Sequence, residues 1–285
     1  MSCNPIIEVG MSDCLEGNVN GPSLIKVPDW LPNRLGNYYL YFAHHKGAHI
    51  RLAYADRIEG PWQIHQSGTL HLVETPCARN IASPDVHVDE PNRRLLMYYH
   101  GPTPVKEIGQ RTFLATSLDG LHFDSDDVDL APYYLRVFEY DGIFYGIAKS
   151  GNTAGCLLRS ESAEKPFEVM REIFPRMRHA AVRKEGAELT IFFSRVWESP
   201  ECILVSRLSL EGPAEGWDPS DPETLLAPET DYEGGDLEVV ESRPSIIAER
   251  VRALRDPAYY REGGRQYLIY SIAGEWGIAV AELVG

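Results

Sequence analysis

The chain has 285 residues, of which 44% are hydrophobic and 24% charged, and its 27 basic against 42 acidic residues give a formal net charge of −15. This composition is that of a globular protein with a full core, and the acidic balance argues against binding to nucleic acid or anionic membranes. The five scattered cysteines, the lack of a long apolar run and the lack of a signal-peptide pattern predict a cytoplasmic protein without disulfides or a membrane span.

A unit of short strands recurs five times along the chain. In each copy an apolar first strand is followed by a second strand rich in Tyr and Phe and by a third strand with its turn. The predicted first strands open at Asn20, Ala82, Ala131, Arg178 and Arg255. The predicted second strands span residues 38–45, 95–101, 143–150, 189–196 and 267–274. The third strands with their turns span residues 50–62, 112–123, 156–167 and 203–217, and the fifth copy runs into the C-terminal residues.

Short alternating runs of Tyr, Phe, Val and Ile are typical of strands, and the Asp-Gly and Gly-Gly pairs between them suit tight hairpins. Five such units predict an all-β fold, a five-bladed β-propeller of four-stranded antiparallel blades that occupies residues 1–285 as a single domain. The last copy lacks a fourth strand, so we expect the stretch from Pro5 to Val9 to supply it and close the ring. An open all-β stack is the alternative.

One face of such a propeller collects the side chains that could carry chemistry. The loops that open the first strands and the loops that join second to third strands lie on this face, so residues far apart in sequence meet there. The predicted substrate contacts are His45, Tyr134, Arg136, Arg178, Trp197 and Glu275. Arg and carboxylate side chains bind hydroxyl groups in bidentate fashion, and Trp offers an apolar surface to a sugar ring. The pattern therefore predicts a small saccharide or sugar-like substrate at the axis.

Several stretches of the chain resemble the five-bladed propeller glycosidases around glycoside hydrolase family 43. They are YYLYFAHH (residues 38–45) with IRLAYADRIEGPW (residues 50–62), SPDV in the second blade and RDP in the fifth. The resemblance covers nearly the whole chain. It implies the propeller fold and the hydrolysis of glycosidic bonds.

The resemblance also implies positions for three family residues, and the chain departs from two of them. The family's general base is an Asp in a first-blade DPS motif, which reads NGPS here with Gly21 at the Asp position. Its general acid is a third-blade Glu, where this chain has Tyr133, Tyr134 and Arg136. The second-blade Asp, which orients the acid and tunes its pKa in the family, is matched by Asp85.

A substitute catalytic set is present on the same face. Asp85 and Asp256 are the predicted catalytic carboxylates, with His179 or Glu238 as the proton donor, because the charge of a His changes near neutral pH. A carboxylate separation near 5 Å would imply retention of configuration, and one of roughly 6.5–9.5 Å would imply inversion.

The sequence carries no metal or cofactor signature. His44 and His45 are neighbours in a predicted strand and so point to opposite faces, and the acidic run at 124–129 lacks the Gly and final Glu of a calcium loop. We predict no cofactor and no metal ligands, with a calcium ion on the axis left open. Walker A, GxGxxG, HExxH and GxSxG motifs are also absent.

Three functions remain open at this point. The first is a glycoside hydrolase acting on a small saccharide. The second is a non-catalytic carbohydrate- or metabolite-binding propeller, which would account for the missing family residues. The third is a propeller recruited to lyase or isomerase chemistry through Tyr134 and His179. Fold alone does not choose between them, because function resides in the site.

Overall fold

A computed structural model describes residues 1, 3–151, 154–244 and 249–283 of the chain, and its strands form five antiparallel sheets. The chain begins with β1 (Ile7–Glu8). The first blade contains β2 (Asn20–Lys26), β3 (Tyr38–Ala43), β4 (His49–Ala55) and β5 (Gln63–His71). The second contains β6 (Ala82–Asp89), β7 (Arg94–Pro102) and β8 (Gln110–Ser117), with the short strands β9 (Asp124–Ser125) and β10 (Ala131–Pro132) both paired with β8.

The remaining blades repeat the same order. The third contains β11 (Arg136–Tyr140), β12 (Ile143–Ser150), β13 (Ala154–Ser160) and β14 (Glu168–Pro175). The fourth contains β15 (Met177–Glu185), β16 (Glu188–Arg195), β17 (Ile203–Ser209) and β18 (Glu223–Leu226). The fifth contains β19 (Arg255–Glu262), β20 (Arg265–Ile272) and β21 (Gly277–Leu283), with β1 as its fourth strand.

The helices of the described residues are all single 3₁₀ turns. They are Val9–Met11, Asp13–Leu15, Leu72–Glu74, Ala214–Gly216 and Asp231–Glu233. No helix in the described ranges is long and apolar enough to cross a membrane. The all-β five-bladed propeller is therefore confirmed.

The ring closes as the sequence predicts. Ile7 of β1 pairs with Ile278 of β21 in antiparallel register, so the first and last strands of the chain are neighbours in blade five. The assignment of Ala131 is wrong, however. Ala131 pairs with Thr112 at the outer edge of blade two, and the inner strand of blade three begins only at Arg136. The left-handed backbone of Tyr134 (φ 61°) interrupts the strand between the two segments.

Alternation along the strands builds a separate hydrophobic cluster between each pair of neighbouring blades. In β3, Tyr39 and Tyr41 pack toward blade two, whereas Leu40 and Phe42 pack toward blade five. In the same way the strands of blades two to five contribute to the clusters on either side of them. Each blade thus buries both faces, which accounts for second strands that are apolar at nearly every position.

Side-chain hydrogen bonds join neighbouring inner strands at the axis. The Val86 amide of β6 donates to Ser23 Oγ of β2 at 2.9 Å, and the Val137 amide of β11 donates to Asp85 Oδ2 of β6 at 3.2 Å. Ser23 and Asp85 hold the same register position in their blades, directly after a bulge. Both therefore connect one blade to the next.

Three inner strands open with the same backbone feature. Gly21, Ser83 and Asp256 have φ values of 58°, 48° and 49°, and each is followed by a proline. The pairing with the second strand is irregular at all three positions. Non-glycine residues in the left-handed region cost free energy and concentrate at functional sites. These openings meet on the axial face, where the candidate site lies.

Candidate active site on the axial face

A cleft of about 380 Å³ opens where blades one, two and three meet at the axis. Asn20 and His45 line it from blade one, Ser83 and His100 from blade two, and Tyr134 from the opening of blade three. These residues come from the two sets of loops that the sequence places on one face. The cleft is therefore built from strand openings and from the ends of second strands.

Two buried polar atoms of the cleft lack a protein partner. Asn20 is 3% exposed and His100 is 1% exposed. Asn20 Oδ1 and His100 Nδ1 have no hydrogen-bond partner among the described residues. Because buried polar atoms are normally satisfied, such atoms in a cleft wall mark positions where a ligand or water can bind.

The Asp256 carboxylate lies beside this cleft in a buried pair with His179. Asp256 Oδ1 contacts Nδ1 of His179, and Oδ2 accepts hydrogen bonds from the Gly21 amide at 3.4 Å and from Ser271 Oγ at 3.2 Å. Tyr134 connects the pair to the cleft, since its ring lies edge-on to His179 with 3.7 Å between centroids. The pair therefore lies directly behind a cleft-lining side chain.

Burial and neighbouring cations favour the neutral form of His179. Burial, reinforced by the positive charges of Lys149 and Arg178, lowers the pKa of His179 well below its ordinary value. A neutral imidazole that faces a carboxylate with Nδ1 carries its proton there, which leaves the Nε2 lone pair available. Neither ring nitrogen forms a hydrogen bond of regular geometry in the described part of the chain, and Nδ1 is the one in contact with Asp256. This arrangement suits a proton acceptor at neutral pH better than a proton donor.

The opening of blade one at Gly21 has no room for a side chain. A Cβ added to Gly21 would lie 2.8 Å from both Cα and Oγ of Ser83, and Gly21 already has a left-handed φ. No side chain could stand there without moving the backbone of blade two. The Gly21 amide donates to Asp256, so a carboxylate from blade five lies against the opening of blade one.

We expect Gly21→Ala to lower the free energy of unfolding by about 2–5 kcal/mol, because it combines a left-handed alanine with a backbone clash. Gly142→Ala is the matched control, since Gly142 also has a positive φ (75°) but nothing within 4 Å of the added Cβ. The control is expected to cost only about 1–2 kcal/mol. Urea denaturation of both variants measures the difference, and equal losses would show that the contact with Ser83 is unimportant.

Asp85 lies elsewhere in the ring. It bonds His87 Nε2 at 2.8 Å, accepts the Val137 amide and lies 3.8 Å from Arg136 Nη1. Burial alone would raise the pKa of Asp85, but His87 and Arg136 hold it below the ordinary value. His87 lines a separate groove between blades two and three. Asp85 and Asp256 therefore share no partner among the described contacts, and neither lines the axial cleft.

Comparisons with known proteins place this geometry in context. No protein-family model matches the chain. An uncharacterized protein of Acanthamoeba polyphaga mimivirus is 34% identical to this chain. The alignment is 301 residues long and covers 93% of this chain and 83% of the viral protein. The chain belongs to the family of that viral protein.

Solved structures share the fold of this family. A thermostable family-43 glycoside hydrolase has a TM-score of 0.66 at 13% identity and covers 94% of this chain and 90% of its own. A family-43 enzyme from Xanthomonas citri, complexed with xylose, has a TM-score of 0.60 at 13% identity with coverages of 94% and 88%. An exo-1,5-α-L-arabinanase from a bovine ruminal metagenomic library has a TM-score of 0.59 at 14% identity with coverages of 93% and 92%. The resemblance to family 43 is thus confirmed for the fold, in a divergent chain.

A buried ion-pair ladder crosses from blade four to blade one of the propeller. Arg178 Nε lies 2.8 Å from Glu201 Oε1, and Arg255 Nε lies 2.9 Å from Glu201 Oε2. Arg255 Nη1 then lies 3.5 Å from Glu275 Oε1, which also lies 3.1 Å from His45 Nδ1. The ladder ends at a side chain that lines the cleft, so it fixes the position of His45.

Two of the predicted substrate contacts, Arg178 and Glu275, form ion pairs within this ladder. Arg178 also donates to the Arg243 carbonyl at 2.6 Å and so ties a loop to blade four. Burial would raise the pKa of Glu275, but His45, Arg255 and Asn18 lower it to about 2. Arg136 is likewise bound within the protein, donating to the carbonyls of Ala180 and Pro84 at 3.0 Å each.

Glu238 and Trp197 are both exposed to solvent. Glu238 is exposed in the long loop that precedes blade five, and Trp197 is 40% exposed. The Trp197 amide donates to the Ser242 carbonyl of that loop at 2.9 Å. Neither side chain lines the cleft.

Lys149 is a functional candidate that sequence reasoning did not select. It is 3% exposed, and its Nζ lies 5.7 Å from the ring centroids of Tyr133 and Tyr134. Burial, followed by the positive charge of Arg178, lowers the pKa of Lys149 to about 7, against the opposing effect of Glu201. A lysine at the end of a second strand gives no sequence signal for burial, because long charged side chains there are usually solvated.

The lowered pKa of Lys149 predicts a pH-dependent stability. Between about pH 7 and pH 10 the unfolded chain binds the Lys149 proton and the folded chain does not, so stability rises with pH in this window. Below pH 7 the full cost of burying the ammonium group is present. We expect the free energy of unfolding to rise less between pH 6 and pH 9 in Lys149→Met than in the wild type, as measured by urea denaturation. An equal rise in the two proteins would contradict the lowered pKa of Lys149.

The described residues contain no group of three or more His, Cys, Asp or Glu side chains that could hold a metal ion. The five cysteines are free.

Proposed function

We propose that the protein is a glycoside hydrolase that acts on a small saccharide in the axial cleft. The observation that carries this proposal is the His179–Asp256 pair, which lies behind cleft-lining Tyr134 and against the amide of Gly21. It sets a carboxylate and a neutral imidazole beside the strand opening that contains Gly21. Neighbours with this fold include the enzyme complexed with xylose, which supports a small sugar as the ligand.

The pair would act as the general base. Nε2 of His179 accepts a proton from water, the water oxygen forms a bond to the anomeric carbon, and the glycosidic C–O bond breaks. Asp256 holds the imidazole in the required tautomer and stabilises the imidazolium that forms. A base that activates water in a single displacement gives inversion of configuration.

His45 is the side chain best placed to donate the proton to the leaving oxygen. It lines the cleft, and its Nδ1 is held by Glu275, a carboxylate that Arg255 fixes from the other side. The contact with Glu275 fixes the orientation of the His45 ring in the cleft. Asn20 Oδ1 and His100 Nδ1 would then hydrogen-bond the sugar hydroxyls.

One observation favours a second candidate, a non-catalytic saccharide-binding propeller. No Asp or Glu lies among the residues that line the cleft, and the family's first-blade base is replaced by Gly21. Such a protein would bind a sugar without cleaving it.

A panel of aryl glycosides separates the two candidates. Arabinofuranosides, xylosides, galactosides and uronides are incubated with the wild-type protein, and release of the aryl alcohol is followed together with binding by titration calorimetry. Hydrolysis of at least one glycoside, with inversion seen by NMR, is the expected result. Binding of a glycoside without any release would overturn the hydrolase and favour the binding protein.

A further inference from the structure

The cleft carries positive charge in a strongly acidic protein. Lys46 and Arg79 line it together with His45 and His100, and the lining includes no acidic side chain. The whole chain, in contrast, has a net charge of −15. A basic cleft in an acidic surface attracts and orients an anionic ligand.

Within the described residues, Lys46 and Arg79 have no counter-ion. Neither forms an ion pair with a described carboxylate, whereas exposed cations such as Lys26 and Arg265 do so elsewhere on the surface. Both side chains are exposed at the rim. Their charges are therefore available to a ligand.

A buried amine lies behind the cleft. Lys149 is buried and forms no ion pair with a described carboxylate, and its Nζ lies over the ring of Tyr134, which lines the cleft. Glu201, the carboxylate that acts on Lys149 most strongly, is already bound by Arg178 and Arg255. An anion bound in the cleft would favour the protonated form of this amine.

We propose that the cleft selects saccharides that carry an anionic group, either a carboxylate or a phosphate, and that Lys46 and Arg79 bind this group. Lys149, behind Tyr134, is a further amine that a bound anion would keep protonated. The unpartnered Asn20 Oδ1 accepts a sugar hydroxyl, so one ligand satisfies both the charges and the orphaned polar atoms. The inference rests on the proposed saccharide site and names its substrate class.

Titration calorimetry with matched sugars tests this inference. The probes are glucose, glucuronate and glucose 6-phosphate, the corresponding galactose series, and inorganic phosphate. We expect the anionic member of at least one series to bind at least about tenfold more tightly than its neutral sugar, since hydrogen bonds to charged groups are stronger than those to neutral groups. Lys46→Gln/Arg79→Gln should remove this preference. The control Arg57→Gln/Arg207→Gln changes the net charge equally at two exposed, unpaired cations and should retain it.

Each outcome bears on the inference separately from the proposed function. Tighter binding of glucuronate identifies a carboxylate ligand, and tighter binding of glucose 6-phosphate than of inorganic phosphate identifies a phosphorylated sugar. Equal binding of neutral and anionic sugars, or binding of none, overturns the inference, even if neutral glycosides are hydrolysed. Anion-selective binding without hydrolysis of any glycoside, uronides included, supports the inference and overturns the hydrolase.

Discussion

Asp256→Asn is expected to lower kcat/KM about 10²–10⁴-fold on any glycoside that the wild type hydrolyses, which is the usual contribution of a general acid–base group. The asparagine keeps the size of the side chain but loses the negative charge that orients and stabilises His179. Initial rates at pH 7 measure the effect. Because Asp256 is buried beside His179, the loss should appear in kcat and leave saccharide binding largely intact.

The control for this variant is Asp89→Asn, the same substitution at the far end of inner strand β6. Asp89 bonds Arg94 at 2.8 Å and lies away from the axial cleft. It should retain the wild-type rate. An Asp256→Asn protein that is folded and hydrolyses glycosides within about threefold of the wild type would rule out the base assigned here.

Glu201→Gln is expected to cause the largest loss of stability among single substitutions in the ladder, about 3–5 kcal/mol. Glu201 has no exposed surface and faces both Arg178 and Arg255, so removing its charge leaves two buried guanidinium groups without a full counter-charge. The free energy of unfolding from urea denaturation measures the loss.

An exposed ion pair supplies the matched comparison. Glu282 bonds Arg265 through both oxygens at 2.7 Å, but the two side chains are 34% and 49% exposed. Solvent screens such pairs, so Glu282→Gln should have a much smaller effect than Glu201→Gln. Similar losses in the two variants would show that the ladder does not stabilise the junction of blades four, five and one.

The blades could be predicted because local pattern and packing agree. Second strand Ile143–Ser150 matches its predicted bounds at both ends, and the alternation of Tyr39 and Leu40 places successive side chains in different inter-blade clusters. The need to close the ring predicts the pairing of β1 with β21. Each of these inferences uses the strand period and the lack of a fourth strand in one repeat, which the sequence displays directly.

The opening of blade three could not be predicted in this way. Ala131 belongs to a strand-like run, yet it pairs with blade two because Tyr134 takes a left-handed backbone that separates it from Arg136. The sequence also does not show which side chains form buried ion pairs. The sequence around Glu201 is typical of an exposed glutamate, and the fold brings Arg178 and Arg255 to it from two other strands.

The candidate carboxylates show the same limit. Asp85 and Asp256 both stand at the opening of inner strands, but they lie two residues apart in register. Because of that offset, the Asp85 carboxylate accepts a hydrogen bond from the backbone of blade three, whereas the Asp256 carboxylate contacts His179. The sequence shows this offset, because Asp85 follows Pro84 and Asp256 precedes Pro257, but it does not show which side chain lies opposite each position.

The most direct test of the account is a crystal structure of the Asp256→Asn protein soaked with the glycoside that binds most tightly. We expect the sugar to bind in the axial cleft, with one hydroxyl donating a hydrogen bond to Asn20 Oδ1. Its ring should lie near Tyr134, and the glycosidic bond should face His179. A sugar bound only in the groove between blades two and three, beside His87 and Tyr98, would contradict it, as would an axial cleft that stays empty at saturating glycoside.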